Sequence, residues 1–416
     1  MKRKITLGQG AVSILRNGGN LLASHWTEAL LRLAYAAAIT RVLGAENFGL
    51  WYYAMALYTL FVAAVGLGFE TQLPLKLGTS QDRLPTIGRT SLTLRIGLLV
   101  GASLLLILLA YSMESAGPTR TAILVAVPAV FGRGLSLFSS WIFIGLERTV
   151  IVFRIAVTMR ILEVIVGLGL LMSGFGIMAL IATHAAIWVI DGLLSTAILH
   201  RSTGAFGGRF DRQLARELLI KGLPLGSAAG LTQFLTSGPI LLIKNLFGDL
   251  ALTGQFALAQ QILVVAVTSI RPFFLASLPV LGRSTERGER NAARFGPASG
   301  ALSLLLFVAA ALFAYWLGPP IAVLVFGPEF SLTGQLIAPL MAVGGLMLAP
   351  VGYMQMLAAR SIHWPDVVAG CLGALALLVA MPWCSTHWGI WGAVAATACA
   401  WFVRAIVAVG IARRLL

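Results

Sequence analysis

Residues 17–43 read NGGNLLASHWTEALLRLAYAAAITRVL, a run long enough to cross a bilayer as helix yet carrying a regular line of polar groups. Asn17, Asn20, Ser24, Glu28 and Arg32 follow one another at spacings of 3, 4, 4 and 4 residues. At about 100° per residue they share an arc of roughly 120° on one helix face. Glu28 and Arg32 stand at i,i+4, so one charge offsets the other. Five polar groups exceed what helix packing needs, and the face is expected to line a water-filled cavity.

The rest of the chain extends that reading. Of 416 residues, 58% are hydrophobic and 11% charged, against about 25% charged in a soluble domain, which excludes an ordinary water-soluble enzyme. Apolar runs of about twenty residues, enough to span ~30 Å of hydrocarbon, recur twelve times. They lie near 18–40, 50–72, 92–111, 121–144, 150–172, 176–198, 220–245, 255–279, 299–318, 334–358, 366–385 and 389–411. The formal charge of +15 is scattered between these runs, not gathered on a polar domain, so no nucleic-acid partner is expected. Cys371, Cys384 and Cys399 are odd in number and sit in apolar stretches, which excludes a disulfide framework and a CxxC metal site.

Basic residues alternate between the two sets of loops. One set carries Lys2, Arg3, Lys4 and Arg16, then Lys76, Arg83 and Arg89, Arg148 and Arg154, and Arg201, Arg209, Arg212, Arg216 and Lys221. It continues with Arg283, Arg287, Arg290 and Arg294, then Arg360, Arg413 and Arg414; the opposite set holds only Arg41, Arg120 and Lys244. Lys and Arg are retained in the cytoplasm, so both termini are expected there, consistent with an even number of spans. The start, Met1-Lys-Arg-Lys4, lacks a following small-residue cleavage site, and the first span is expected to be kept.

The longest polar connection, HRSTGAFGGRFDRQLARE at His200–Glu217, sits near the middle of the chain. It divides an N-terminal lobe, 1–199, from a C-terminal lobe, 218–416, with 200–217 as a cytoplasmic linker. A shift of 205 residues superposes Gly49 on Gly254, Ala54 on Ala259, Phe69 on Phe274, Leu73 on Leu278 and Pro74 on Pro279. At a nearby shift Gly176, Ile177 and Trp188 match Gly389, Ile390 and Trp401. A shared register marks an internal repeat. Six spans per half make the repeat parallel, and such repeats bind their substrate between the halves. The expected fold is an all-α polytopic membrane protein: twelve transmembrane helices in two pseudo-symmetric six-helix lobes around a central cavity.

No nucleophile elbow, HExxH or Walker loop is present, so neither catalytic residues nor a cofactor are expected. The chemistry to be explained is charge inside the spans. Arg133 and Arg271 fall mid-span, and with Arg32 the three would cost about 8–10 kcal/mol if they faced lipid. They should face a cavity or a counter-charge; for Arg133 that is either a ligand or Glu163. Pro272 breaks the helix beside Arg271, and Gln260, Val264 and Thr268 lead to it at helical spacing. His184 and Asp191, seven residues apart, share a face and are either an ion-coupling pair or a satisfied polar pair. Lys244 ends its span on the outer side and either binds an anion or snorkels. An arginine-lined amphipathic cavity suits an anion with an apolar tail: guanidinium groups replace the water of a pyrophosphate and match its oxygens two at a time, while the tail stays in lipid.

Four motifs carry a family resemblance. Leu43-Gly44-Ala-Glu46-Asn-Phe48-Gly49-Leu-Trp51 resembles the LGxxxFG turn of polysaccharide flippases in the multidrug/oligosaccharidyl-lipid/polysaccharide (MOP) exporter superfamily. Trp141-Ile-Phe143-Ile-Gly145-Leu-Glu147-Arg148 looks like the end of that family's fourth helix. Phe326-Gly327-Pro328-Glu329-Phe330 is similar to its FGxxY turn, and Gly389-Ile-Trp-Gly392-Ala to its GxxGAA start of the twelfth helix. The resemblance spans nearly the whole chain. It implies two lobes in a V, helices one, two, seven and eight around the cavity, and alternating access by rocking of the lobes.

It also implies the substrate: undecaprenyl-pyrophosphate-linked oligosaccharide, turned from the cytoplasmic to the periplasmic leaflet of a bacterial inner membrane. Related lipid-II flippases carry cations on their first and eighth helices, where Arg32 and Arg271 fall here; the two extra C-terminal helices of that branch are lacking. Arg32, Arg271, Arg133 and Lys244 are the expected pyrophosphate ligands. Asn20, Ser24, Glu28, Tyr35, Trp51, Tyr52, Gln233, Gln260 and Thr268 are expected to line the cavity, several of them against sugar. Membrane lipids, a polysaccharide polymerase and export proteins are the implied partners. The rivals are a cation-coupled multidrug exporter of the same superfamily, with His184 and Asp191 as coupling groups, and a membrane glycosyltransferase or ligase.

Overall fold

A computed structural model of the chain describes the backbone of residues 7–286, 290–360 and 362–416, and the side chains of 26–270, 295–358, 360 and 362–416. Twelve helices follow one another. They are α1 (Leu7–Ala64), α2 (Phe69–Thr79), α3 (Leu84–Met113), α4 (Pro118–Gly145), α5 (Thr149–Met172), α6 (Ile177–Thr203), α7 (Arg212–Phe247), α8 (Leu250–Glu286), α9 (Arg290–Phe326), α10 (Ser331–Leu348), α11 (Val351–Ala359) and α12 (Trp364–Leu415).

Two of these are hairpins. Gly44 interrupts α1 with φ 77° and ψ −179°, and Gly389 interrupts α12 with φ 56° and ψ −134°, both in a region of backbone space that side chains disfavour. The rings of Tyr35 and Trp51 meet edge to face at 6.0 Å across the first bend, though a straight helix would separate them by about 24 Å. In α12, Arg404 reaches Asp366 at 2.8 Å, so those arms also run back along each other. Among the described residues nine helices are long and apolar enough to cross a bilayer, and α1 with its continuation α2 makes a tenth. Counting each arm of α1 and α12 gives the twelve spans expected from the sequence.

The packing follows the repeat. One buried apolar cluster is drawn almost wholly from α1 to α6, and a second almost wholly from α7 to α12. The two groups meet chiefly where α1 lies against α7 and α8. The twelve helices thus form two lobes of six, as the sequence indicated. A Cβ on Gly49 would sit 2.9 Å from the backbone nitrogen of Gly254, and one on Gly254 2.8 Å from that of Gly49. Residues that superpose under the repeat therefore touch each other, as they must beside a pseudo-two-fold axis. Between the halves, α6 runs to Thr203 and α7 starts at Arg212, capped by the Asp211 carboxylate on the N–H groups of Gln213 and Leu214, at 2.9 and 3.0 Å.

The outer surface is apolar, with Leu104, Leu105 and Leu108 on α3 and Leu302, Leu305 and Leu312 on α9 exposed to the surroundings, the reverse of a soluble protein. Hydroxyls within the spans bond back along their own helix: Thr59 to Met55 O, Thr183 to Ala179 O, Thr397 to Ala393 O. Hydrocarbon offers no other partner. The break between α1 and α2 is closed in the same spirit: Leu67 and Gly68 adopt φ 45° and 60°, and the fully buried Arg95 of α3 donates to the orphaned carbonyl of Val65 and to Gly134 O.

Close approach at Gly49 predicts opposite signs for two similar substitutions. Gly49→Ala should destabilise by about 1–3 kcal/mol through overpacking, whereas Gly97→Ala, with open space around it, should be neutral or stabilise by up to about 1 kcal/mol. Thermal unfolding of the two variants in detergent checks this.

Candidate functional site

The middle of the first lobe holds a chain of buried charged and polar groups. On α5, Arg160 and Glu163 stand at i,i+3 and pair at 2.5 Å. The other oxygen of Glu163 lies 2.6 Å from Nδ1 of His184 on α6. The indole N–H of Trp188, which can only donate, reaches Nε2 of His184 at 3.0 Å, and Tyr58 OH lies 2.8 Å from the same nitrogen. Nε2 is therefore the accepting nitrogen and Nδ1–H donates to Glu163. His184 is neutral in this arrangement, and Arg160 and Glu163 cancel, so the chain carries no net charge.

Beside this chain opens a cavity of about 220 Å³ between α1, α4, α5 and α6, with Glu28, Arg133, Ser136, Trp188, Asp191 and Ser195 on its walls. Arg133 lies over the face of Trp188 at 4.0 Å, and Arg160 over the same ring system at 5.2 Å. The expected pairing of Arg133 with Glu163 is not made, because Arg160 and His184 occupy that carboxylate. His184 and Asp191 share a face but belong to separate groupings: Asp191 accepts from Ser195 at 2.9 Å.

The predicted site residues divide by exposure. Arg32 is exposed and Tyr52 and Glu28 half-buried. Twelve residues before the bend, Arg32 lies about 18 Å from it, near half-depth of a bilayer. Tyr35 and Trp51 are buried against each other in the first lobe. In the second, Gln260 is buried and donates to Thr236 O, Gln233 donates to Ser237 Oγ at 2.7 Å, and Thr268 bonds back to Val264 O. Asn20, Ser24 and Arg271 lie outside the residues whose side chains are described.

Lys244 ends α7 in an ion pair with Glu114, which follows α3 in the other lobe. Tyr53 OH donates to the same carboxylate oxygen at 2.9 Å. Nearby turns are joined too: Arg41 Nε donates to Val325 O at 2.8 Å, Ala45 N–H donates to Glu329 Oε2 at 2.9 Å, and Phe48 meets Phe330 edge to face at 6.0 Å. The LGAENFG and FGPEF motifs thus pack on one another across the lobes. In the second lobe Arg404 pairs with Asp366, donates to Thr232 Oγ1 at 3.0 Å and lies over Trp401 at 5.0 Å.

The sequence reading missed Arg160, Glu114, Asp366 and Arg404 as partners. The i,i+3 spacing of Arg160 and Glu163 inside an apolar span was a usable signal, and the shift that superposes Trp188 on Trp401 also superposes Asp191 on Arg404. A buried ion pair loses most when one partner is removed. Glu163→Gln should cost about 3–5 kcal/mol, and the double change Arg160→Met with Glu163→Leu distinctly less. Thermal denaturation of both variants in detergent measures the difference.

Comparison with solved structures gives the fold. A MOP superfamily transporter from Pyrococcus furiosus superposes with a TM-score of 0.71 at 17% identity, over 97% of this chain and 95% of that one. A eukaryotic MATE transporter, AtDTX14, gives 0.71 at 10% identity over 96% and 95%. An inward-facing multidrug resistance MATE family transporter gives 0.71 at 17% over 93% and 94%. No curated protein matches the sequence. Residues 14–285, well over half of the chain, match the sequence profile of the polysaccharide biosynthesis proteins, and with the twelve-helix fold on the page the conclusion is direct: the chain belongs to the polysaccharide biosynthesis protein family.

Proposed function

We propose that this multi-pass transporter is a flippase that moves an undecaprenyl-pyrophosphate-linked oligosaccharide from the cytoplasmic to the periplasmic leaflet of a bacterial inner membrane. The observation that carries the reading is Arg32, an exposed guanidinium at half-depth on the helix that adjoins both lobes, in a chain of this family. An arginine there is costly against lipid, by about 2.5–3.5 kcal/mol on the insertion scale, and is explained by a hydrated gap with an anion to meet. Arg32 and Arg271 hold the pyrophosphate, Glu28 tunes Arg32, and Tyr52 and Gln233 meet sugar. The prenyl tail stays in the bilayer.

In this reading residues 1–199 and 218–416 rock about the linker 200–217, and both termini are cytoplasmic. The inside-negative potential favours outward movement of negative charge by about 2.3 kcal/mol per charge per 100 mV. A polymerase and export proteins would take the product onward. The buried chain Glu163, His184, Tyr58 supports a second reading, a cation-coupled multidrug exporter, because it holds a histidine between a carboxylate and a phenol. Proton-dependent efflux of lipophilic cations from vesicles would favour that reading.

The test is reconstitution in vesicles with labelled lipid-linked sugar. Arg32→Ala and Arg271→Ala should each slow flipping at least tenfold; unchanged flipping in either variant removes that arginine from the mechanism.

A further inference from the structure

Three of the described outer contacts between the lobes use a charged side chain. Glu329 of the second lobe caps the start of the second arm of α1, and Arg41 of the first lobe caps the end of α9, so each lobe satisfies an orphaned helix end of the other. Lys244 and Glu114 form the third anchor, with side chains only 14% and 8% exposed, and Lys244 also lies over the Tyr53 ring at 5.0 Å.

A buried pair of this kind gains little over apolar residues of the same shape, since taking both charges out of water offsets their attraction. Its distinguishing property is that it can be exchanged. Lys244 needs an anion, and Glu114 is the anion it has when the lobes are closed. A pyrophosphate carries more negative charge than a carboxylate and more oxygens for an ammonium to bond.

Resting on the flippase reading, we propose that Lys244 is the exit-side anion site, that Glu114 stands in for the substrate there while the outer side is closed, and that the arriving pyrophosphate displaces Glu114 and so opens the latch. The exchange leaves Glu114 to water and to the Tyr53 hydroxyl as the lobes part. Opening is thereby tied to the presence of cargo, because without a replacement anion Lys244 would give up Glu114 with only water in its place. The two helix caps add resistance to opening that is independent of cargo.

The experiment uses the full-length protein in lipid nanodiscs, in a cysteine-free background with spin labels at the exposed positions Ser112 and Asn245, which flank the pair on α3 and α7. Farnesyl pyrophosphate is the probe and farnesol, with the same tail and no phosphate, the control. In the wild type the pyrophosphate should raise the long-distance population at least threefold and farnesol should not. Lys244→Gln should populate the long distance without ligand and show no further response. Glu114→Gln should also populate it without ligand yet still bind the pyrophosphate. The exchange Lys244→Glu with Glu114→Lys should restore the short distance.

Ligand-free populations in Lys244→Gln equal to those of the wild type would overturn the latch. Equal responses of wild type and Lys244→Gln to the pyrophosphate would overturn the exchange. A protein that behaves as expected here but flips no lipid-linked sugar keeps the latch and loses the flippase reading, so the two failures are distinguishable.

Discussion

Hydrocarbon cannot hydrogen-bond or solvate charge, and nearly every feature of this protein answers to that. Backbone groups are satisfied within helices, hydroxyls turn back to carbonyls four residues earlier, and the broken span of α1 and α2 borrows the guanidinium of Arg95 for its loose carbonyl. Charges are drawn inward. They collect in the middle of the first lobe, in the matching part of the second, and along the seam between the lobes. A solvated protein can scatter its polar groups; here they must congregate, and where they congregate is where a polar cargo can be handled.

The same constraint decides what the sequence disclosed. Spans were legible because the bilayer imposes a length, and the repeat was legible because glycines at an axis tolerate little else: Gly49 and Gly254 were aligned by register and are found in contact. Motifs were legible as turns, but their mutual packing was not, since nothing local tells Glu329 that its partner is the N–H of Ala45. The polar core was half legible. His184 and Asp191 stood out as in-membrane ionisable residues, yet helical spacing alone joined them, and three-dimensional packing gave His184 to Glu163 and Asp191 to Ser195. Arg95 escaped notice because its partners are backbone carbonyls, which no side-chain pattern reveals.

The lobes are alike in frame but carry opposite charges at one repeat-related position. Where the first lobe has Asp191 facing a cavity, the second has Arg404 closed on Asp366, and each position has its tryptophan one turn earlier, Trp188 and Trp401. A guanidinium tethered to the fold acts as a permanent counter-ion, so Asp366 is neutralised whatever the medium supplies. The first lobe keeps an open chamber with Asp191 and the stacked Arg133 on its walls.

The seam at Gly49 and Gly254 sets bare backbone against bare backbone. Most helix interfaces interlock, with knobs in holes that must change rotamer before the surfaces can part. Smooth faces have no such friction, and they forfeit only dispersion as they separate. In the lobe movement proposed above, the rate of parting would then be set at the rim, by how fast a few charges let go.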